Sequence, residues 1–230
     1  VIELYAASTP NGRKATIMLE ETGLPYRLHT LDLSAGDQHT PAFRQLNPNG
    51  KIPVIVDTDT GQTIAESGAI LIHLAEKAGA LLPADPASRM AVLQWLLFQV
   101  GSVGPMAGQY NHFRRHEPRD EYAFGRYRDE VLRLLGVMND ALKDRDFMGG
   151  DYSIADIALV PWLRALQRWD LSLTDYPNVS AWYQRLMARP AVSRGFAMLD
   201  TPVRSKDARA EPDTDEGILL AHNGSTAGSV

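Results

Sequence analysis

The chain, 230 residues long, contains no cysteine. This excludes a disulfide framework, a thiolate metal site and a protein thiol nucleophile, so any thiol chemistry has to use a thiol brought in by a ligand. Positive charge is also in short supply. The 23 Lys and Arg stand against 28 Asp and Glu, a net charge of −5, which leaves no electrostatic footprint for nucleic acid or an anionic membrane. No apolar run reaches the ~18 residues of a spanning helix. Val1-Ile2-Glu3-Leu4-Tyr5 has no basic stretch ahead of an apolar one. No secretory signal is therefore expected, and the expected compartment is the cytosol. No spacing of His, Asp and Glu suggests a metal site. There is no Ser-His-Asp order worth pursuing and no Gly-rich phosphate loop.

What is present is ordinary in bulk: 44% apolar and 22% charged residues, a globular composition long enough for one or two domains. Residues 2–6 alternate Ile2, Leu4, Ala6 and read as a strand. Asn11 to Thr22 has helical spacing, with Asn11 of N-cap type, and Gly23-Leu24-Pro25 stops it. Tyr26 to Leu31 reads as a second strand, which completes a βαβ unit. Thr40 to Leu46 suits a short helix. Val54-Val56 and Gln62-Ala65 flank Asp57-Thr58-Asp59-Thr60-Gly61 as a hairpin. Ser67 to Ala78 is the next helix. The order β-α-β-α-β-β-α is that of a thioredoxin-like domain, expected over 1–80. After the linker Leu81-Leu82-Pro83-Ala84-Asp85-Pro86 only helical periodicity remains, and an all-helical domain is expected over 87–200. Met90 to Val100 is apolar nearly all round, so it is expected to be buried on several sides or to lie at a subunit interface. Tyr122 to Lys143 is a further helix. Ser153-Ile154-Ala155-Asp156 is a capping box with Tyr152 and Ile157 placed as its staple, a structural feature. Residues 201–230 read as a wrapping arm or a loosely held tail.

Two short stretches point to a ligand. In Asn47-Pro48-Asn49-Gly50-Lys51-Ile52-Pro53-Val54 a turn runs into a proline and then a strand. Proline is tolerated at a strand's first residue and not in its middle, so Ile52 offers a backbone N–H and C=O that sheet pairing need not use. In Ala65-Glu66-Ser67-Gly68-Ala69-Ile70 a serine opens an apolar helix. That brings a hydroxyl beside unpaired N–H groups and a positive dipole end, a carboxylate site. One element suits a peptide backbone and the other a carboxylate, so a small acidic peptide fits both.

These stretches, in this order, resemble the glutathione site of the glutathione S-transferase family. The turn Thr9-Pro10-Asn11-Gly12-Arg13-Lys14 resembles that of its nu-class, disulfide-reducing bacterial branch and fungal relatives. The resemblance covers roughly residues 1–200. It implies a thioredoxin-like α/β domain followed by an all-α domain, with glutathione as co-substrate; no metal is expected, and the apolar helix near 90–100 together with Arg126 predicts a homodimer. By the same resemblance Thr9 and Asn11 activate the thiol, with Asn11 the sharper choice. Ser8 and Tyr5 are weaker candidates for the hydroxyl, Tyr5 because it lies too early relative to the turn. Ile52 would hold the cysteinyl backbone with Pro53 cis, Glu66 and Ser67 the γ-glutamyl group, and Gln38 and Lys51 the glycyl carboxylate. Arg126 matches a position that reaches the neighbouring subunit's site. His112, Arg114, Arg115 and His116 read as a solvated basic loop. The implied activity is disulfide reduction by bound glutathione, with organic hydroperoxide reduction beside it. The alternatives are a transferase that conjugates glutathione to electrophilic small molecules, and a non-catalytic glutathione- or protein-binding module.

Overall fold

The computed structural model describes residues 1–200 together with Leu219 and Leu220. The arm expected over 201–230 lies outside the described residues, apart from that pair. The chain begins with β1 (Ile2–Ala6), α1 (Pro10–Thr22) and β2 (Tyr26–Thr30), then a 3-10 turn (Asp37–His39) and α2 (Pro41–Leu46). The hairpin β3 (Val54–Asp57) and β4 (Gln62–Ala65) leads into α3 (Ser67–Ala78). β1 runs parallel to β2 and antiparallel to β3, and the sheet order is β4-β3-β1-β2. Leu219–Leu220, β5, pairs outside β2. This is the expected thioredoxin-like arrangement.

Alternation on β1 decides what lies on each face of the sheet. Ile2, Leu4 and Ala6 are fully buried on the side of α1. Glu3 and Tyr5 point the other way. Glu3 is bonded to Arg27 and His29, and Tyr5 stacks on His29 with ring centroids 4.5 Å apart.

The helical part comprises α4 (Pro86–Phe98), α5 (Gly104–Arg115), α6 (Glu121–Ala141), α7 (Ile154–Arg168), α8 (Pro177–Met187) and α9 (Pro190–Ala197). α4 and α5 are joined by a π-helical turn, Gln99–Val103, into one rod over 86–115. That rod is long and apolar enough by composition to cross a membrane, although no single run in the sequence is. Its Val92, Leu96, Gln99, Val103 and Ala107 are buried in the core. Met90 and Leu97, at 56% and 67% exposure, lie on the opposite side by helical geometry. Of the expectation for Met90 to Val100, one face is buried within the chain and another is left bare.

The capping box on α7 forms as expected. Asp156 also takes hydrogen bonds from Met148 N and Trp182 Nε1, at 3.0 and 2.8 Å, so it ties three segments together.

Three readings at element ends change. The cap of α1 is Thr9 and not Asn11, because Pro10 takes the first helical position and the cap lies two residues further back. Ser67 is the first residue inside α3, and the capping position belongs to Glu66 at φ 68°. His112, Arg114 and Arg115 are helical, in the last turn of α5, and not in a loop.

The two halves meet along α1. Gly195 on α9 makes the approach possible, since a Cβ there would stand 2.5 Å from Ile17 Cα. Gly195→Ala is expected to lower stability by about 1–3 kcal/mol, the cost of overpacking, despite the ~1 kcal/mol that Ala gains in a helix. The urea midpoint measures it. An unchanged or raised midpoint would mean that α9 shifts freely against α1.

Candidate active site

Three chain segments converge at one end of the sheet. β1 ends there and turns through residues 7–9 into α1. Val54, at the start of β3, pairs with Tyr5 on β1 and with Ala65 on β4. β4 then turns at Glu66 into α3. Two helix N-termini and the Ile52-Pro53 peptide therefore share one edge. The sequence-predicted residues Thr9, Asn11, Ile52, Pro53, Glu66 and Ser67 are brought together by that topology.

At the start of α1, Thr9 Oγ1 accepts from Gly12 N at 3.1 Å. The acceptor side of the hydroxyl is occupied, and its proton remains to donate. Asn11 Oδ1 accepts from Trp162 Nε1 at 3.3 Å. An indole N–H only donates, so the amide must turn its oxygen to Trp162 and keep its NH2 for another partner. Both side chains are thereby prepared as donors, next to the Asn11 N–H; Pro10 has none, and those of Gly12 and Arg13 are bonded to Thr9. Gly12 is required here, since a Cβ would sit 2.3 Å from Ala7 O. Tyr5 lies on the sheet face away from α1, within an aromatic group with His29 and Phe43. Ser8 is exposed, and its Oγ accepts from Arg13.

The second helix start is tied to the first by a residue that sequence reasoning passed over. Lys14 is 1% exposed. Its Nζ donates to Ser67 Oγ at 3.0 Å and to Gln99 Oε1. Burial pushes its ammonium down from 10.5 to about 7, against the opposing pull of the Glu66 carboxylate. With its oxygen held by Lys14, the Ser67 hydroxyl donates outward, as a carboxylate site needs. The signal was available in part: a lysine at helical spacing on an otherwise apolar face needs a buried partner.

Sheet pairing starts at Val54, so Ile52 lies outside both ladders, and the Ile52–Pro53 peptide is cis. Asn47 Nδ2 donates to Lys51 O at 2.8 Å and holds this turn. Gln38 packs beside it, its carbonyl 3.1 Å from where a Cβ on Gly50 would sit. Gln38 Nε2 donates to Leu33 O, and its Oε1 is buried with no partner among the described residues. Lys51 is exposed. Arg126 stands apart from this group. It is exposed on α6, in an open cleft with Tyr122 and Arg133. Of the basic cluster, Arg114 pairs with Asp170 at 3.0 Å, while His112, Arg115 and His116 line a shallow depression. Among the described residues no group of His, Asp and Glu could hold a metal ion.

The family "Glutathione S-transferase, N-terminal domain" matches residues 9–77, and "Glutathione S-transferase, C-terminal domain" matches residues 94–190. The chain is 47% identical to the Disulfide-bond oxidoreductase YfcG of Escherichia coli, over 85% of this chain and 94% of that protein. A solved glutathione transferase family member from Pseudomonas fluorescens, with two glutathione bound, superposes with a TM-score of 0.80 at 44% identity, covering 85% of this chain and 92% of that one. A glutathione transferase from Pseudomonas putida, with one glutathione disulfide bound per subunit, superposes at 0.79 and 44% identity, covering 85% and 90%.

The buried Lys14 gives the site a pH signature. Below pH 7 the ammonium is protonated in both folded and unfolded chains, and the cost of burying it is complete. Between about 7 and 10.5 the unfolded chain keeps a proton that the folded chain has released. Stability therefore climbs with pH across that window, by up to roughly 1.4 kcal/mol per unit. Urea unfolding at pH 7 and pH 9 is expected to show the wild type gaining roughly 2 kcal/mol relative to Lys14→Met. Parallel curves for the two proteins would mean that the ammonium titrates near its ordinary value.

Proposed function

The chain belongs to the glutathione S-transferase family, and we propose that it is a disulfide-bond oxidoreductase that uses bound glutathione as its thiol. One observation carries the reading. A chain without cysteine presents, at a helix start, a hydroxyl and an amide whose acceptor atoms are already occupied and whose donors are left. Such a place stabilises an incoming thiolate. A free thiol ionises near pH ~8.5, and a helix N-terminus lowers that by one to several units. The similarity to an E. coli disulfide-bond oxidoreductase supports disulfide as the substrate.

In this reading Thr9 and Asn11 donate to the sulfur, and Ile52 pairs with the cysteinyl backbone beyond Pro53. Glu66 and Ser67 hold the γ-glutamyl end, and Lys51 with Gln38 the glycyl carboxylate. The reaction uses two thiols per disulfide. The first thiolate attacks one sulfur of the substrate, forms a mixed disulfide and releases one substrate thiolate, which takes up a proton. The second thiolate attacks the glutathione sulfur of the mixed disulfide. The second substrate thiolate then leaves, and glutathione disulfide forms. Two electrons pass from the two thiols to the substrate. The same thiolate can attack the terminal oxygen of an organic hydroperoxide, which breaks the O–O bond and releases the alcohol; the second thiol then converts the resulting sulfenic acid to glutathione disulfide and water, so peroxide reduction is the expected side activity. The cytosol, where thiols are kept reduced, suits this chemistry.

The bare apolar side chains Met90 and Leu97 on α4 support a homodimer with a self-complementary interface, in which Arg126 reaches the neighbouring chain's site. Sedimentation at micromolar concentration should give the dimer mass, and an active monomer would remove this part of the reading.

Thr9→Ala and Asn11→Ala are expected to lower disulfide-reductase turnover by about ten- to a thousandfold with little change in glutathione affinity, because a bond stronger to the thiolate than to the thiol acts on the rate. Tyr5→Phe should be near neutral. Ser67→Ala and Glu66→Ala should weaken glutathione binding by roughly ten- to a hundredfold in calorimetry. The reading fails if Tyr5→Phe abolishes turnover while the Thr9 and Asn11 variants stay active. Faster turnover of an aryl halide than of any disulfide would favour the conjugating transferase. Tight glutathione binding with neither activity would favour the binding module.

A further inference from the structure

Beside Thr9 the two halves of the chain enclose a cavity of about 150 Å³, bounded by Arg13, Arg164, Arg168, Trp169 and Phe196. It adjoins the proposed thiolate position, so it is where the second reactant would enter. Its walls carry three arginines. Among the described residues three guanidiniums face one carboxylate, that of Asp200, which Arg13 Nη2 already bonds at 2.6 Å.

The three arginines are not equivalent. Arg13 is engaged at both Nη atoms, with Nη1 on Phe196 O and Nη2 on Ser8 Oγ and Asp200. Arg164 lies flat over the Phe196 ring, 4.2 Å from its centroid. Its Nη2 reaches Asp200 only at 3.8 Å, and its Nη1 is buried with no partner among the described residues. Arg168, one helical turn further along α7 and exposed, has no hydrogen-bond or ion-pair partner among the described residues. Burial, Arg168 and Arg13 all push the Arg164 guanidinium below its ordinary pKa, and Asp200 only partly offsets them. A buried guanidinium N–H without an acceptor is costly. Planar arginine forks answer best to a carboxylate, often by two parallel bonds.

We propose that Arg164 and Arg168 form an anion-accepting subsite for the disulfide substrate, selecting disulfides that carry a carboxylate on a short arm next to the sulfur. The inference rests on the reductase reading and deepens it. Thr9, where the attacking thiolate would lie, lines the same cavity as Arg164 and Arg168. Its volume admits a short acidic arm and not a whole peptide. The guanidiniums bind the carboxylate, bring one substrate sulfur to the thiolate, and retain the carboxylate on the departing thiol until it leaves. Stacking on Phe196 restrains the plane of Arg164.

The test compares three symmetric disulfides with glutathione saturating: 3,3′-dithiodipropionate, bis(2-hydroxyethyl) disulfide and cystamine, which are anionic, neutral and cationic. Each kcat/KM is divided by that disulfide's own uncatalysed rate. The anion should exceed the neutral compound by at least about tenfold, as expected for a charge-assisted pair, and the cation should fall below both. Arg164→Gln and, separately, the exposed Arg168→Gln should each cut the anion-to-neutral ratio at least about fivefold. Arg164→Lys should retain part of it. Arg185→Gln, remote and paired with Asp146, should leave the ratio as it is. Equal normalised rates for all three in the wild type would overturn the proposal. So would arginine variants that slow all three alike, or that change only the KM for glutathione, since the cluster would then serve the resolving thiol. If no disulfide is turned over, the reductase reading itself fails. Calorimetric titration with 3,3′-dithiodipropionate then decides the subsite: binding that weakens in Arg164→Gln supports it, and absent binding overturns it.

Discussion

Everything in this structure depends on α1 being enclosed on all sides. Its residues 12–20 are all buried, between the sheet on one side and α7 and α9 on the other. An amphipathic helix would need one apolar face for the sheet and could show the rest to water. This helix cannot, so its polar residues must each find a partner inside. Arg13 takes the carbonyl of Phe196 and the carboxylate of Asp200. Thr16 Oγ1 donates to Gly195 O at 2.7 Å. Glu20 accepts from Arg194 and Tyr26. Lys14 takes Ser67 and Gln99.

Such pairs are weak sources of net stability, because desolvation offsets most of the attraction. Their consequence is positional. Removing one partner leaves an uncompensated buried charge, at about 3–5 kcal/mol, so α1 has few alternative seatings. Its N-terminus, with Thr9 and Asn11, is thereby fixed against α3 and α7. The π-helical turn at Gln99–Val103 belongs to the same constraint. It is where the long rod over 86–115 turns the Gln99 side chain inward to meet Lys14, and π segments commonly occur at functional places.

The proposed chemistry follows from hydrogen-bond satisfaction more than from any reactive side chain. Thr9 and Asn11 are ordinary polar residues. They become directed donors because Gly12 N and Trp162 Nε1 occupy their acceptor oxygens. Ser67 is treated likewise by Lys14. With those acceptor oxygens engaged from within, the remaining donors favour anions, in the proposed reading a thiolate at one helix start and a carboxylate at the other. Arg164 and Arg168 extend the same preference to the adjoining cavity.

The sequence by itself determined the elements and their order. The proline after Thr9, the glycine at 23, the alternation of Ile2, Leu4 and Ala6, the Ile52-Pro53 turn and the capping box at Ser153 act through neighbours a few residues away, and such signals are legible in one dimension. The resemblance of these motifs to a known family also fixed the expected glutathione site, down to Thr9, Asn11, Ile52, Glu66 and Ser67. The caps lie two residues before Asn11, at Thr9, and one before Ser67, at Glu66, since proline takes the first helical position of α1 and Glu66 stands at positive φ. What only the tertiary structure decided is the partner of each buried polar group. Lys14 meets Ser67 and Gln99 across 53 and 85 residues, Asn11 meets Trp162 across 151, and Arg13 meets Asp200 across 187. No local pattern encodes such pairings, because they arise from the packing of α1 against elements whose mutual placement exists only in the folded chain.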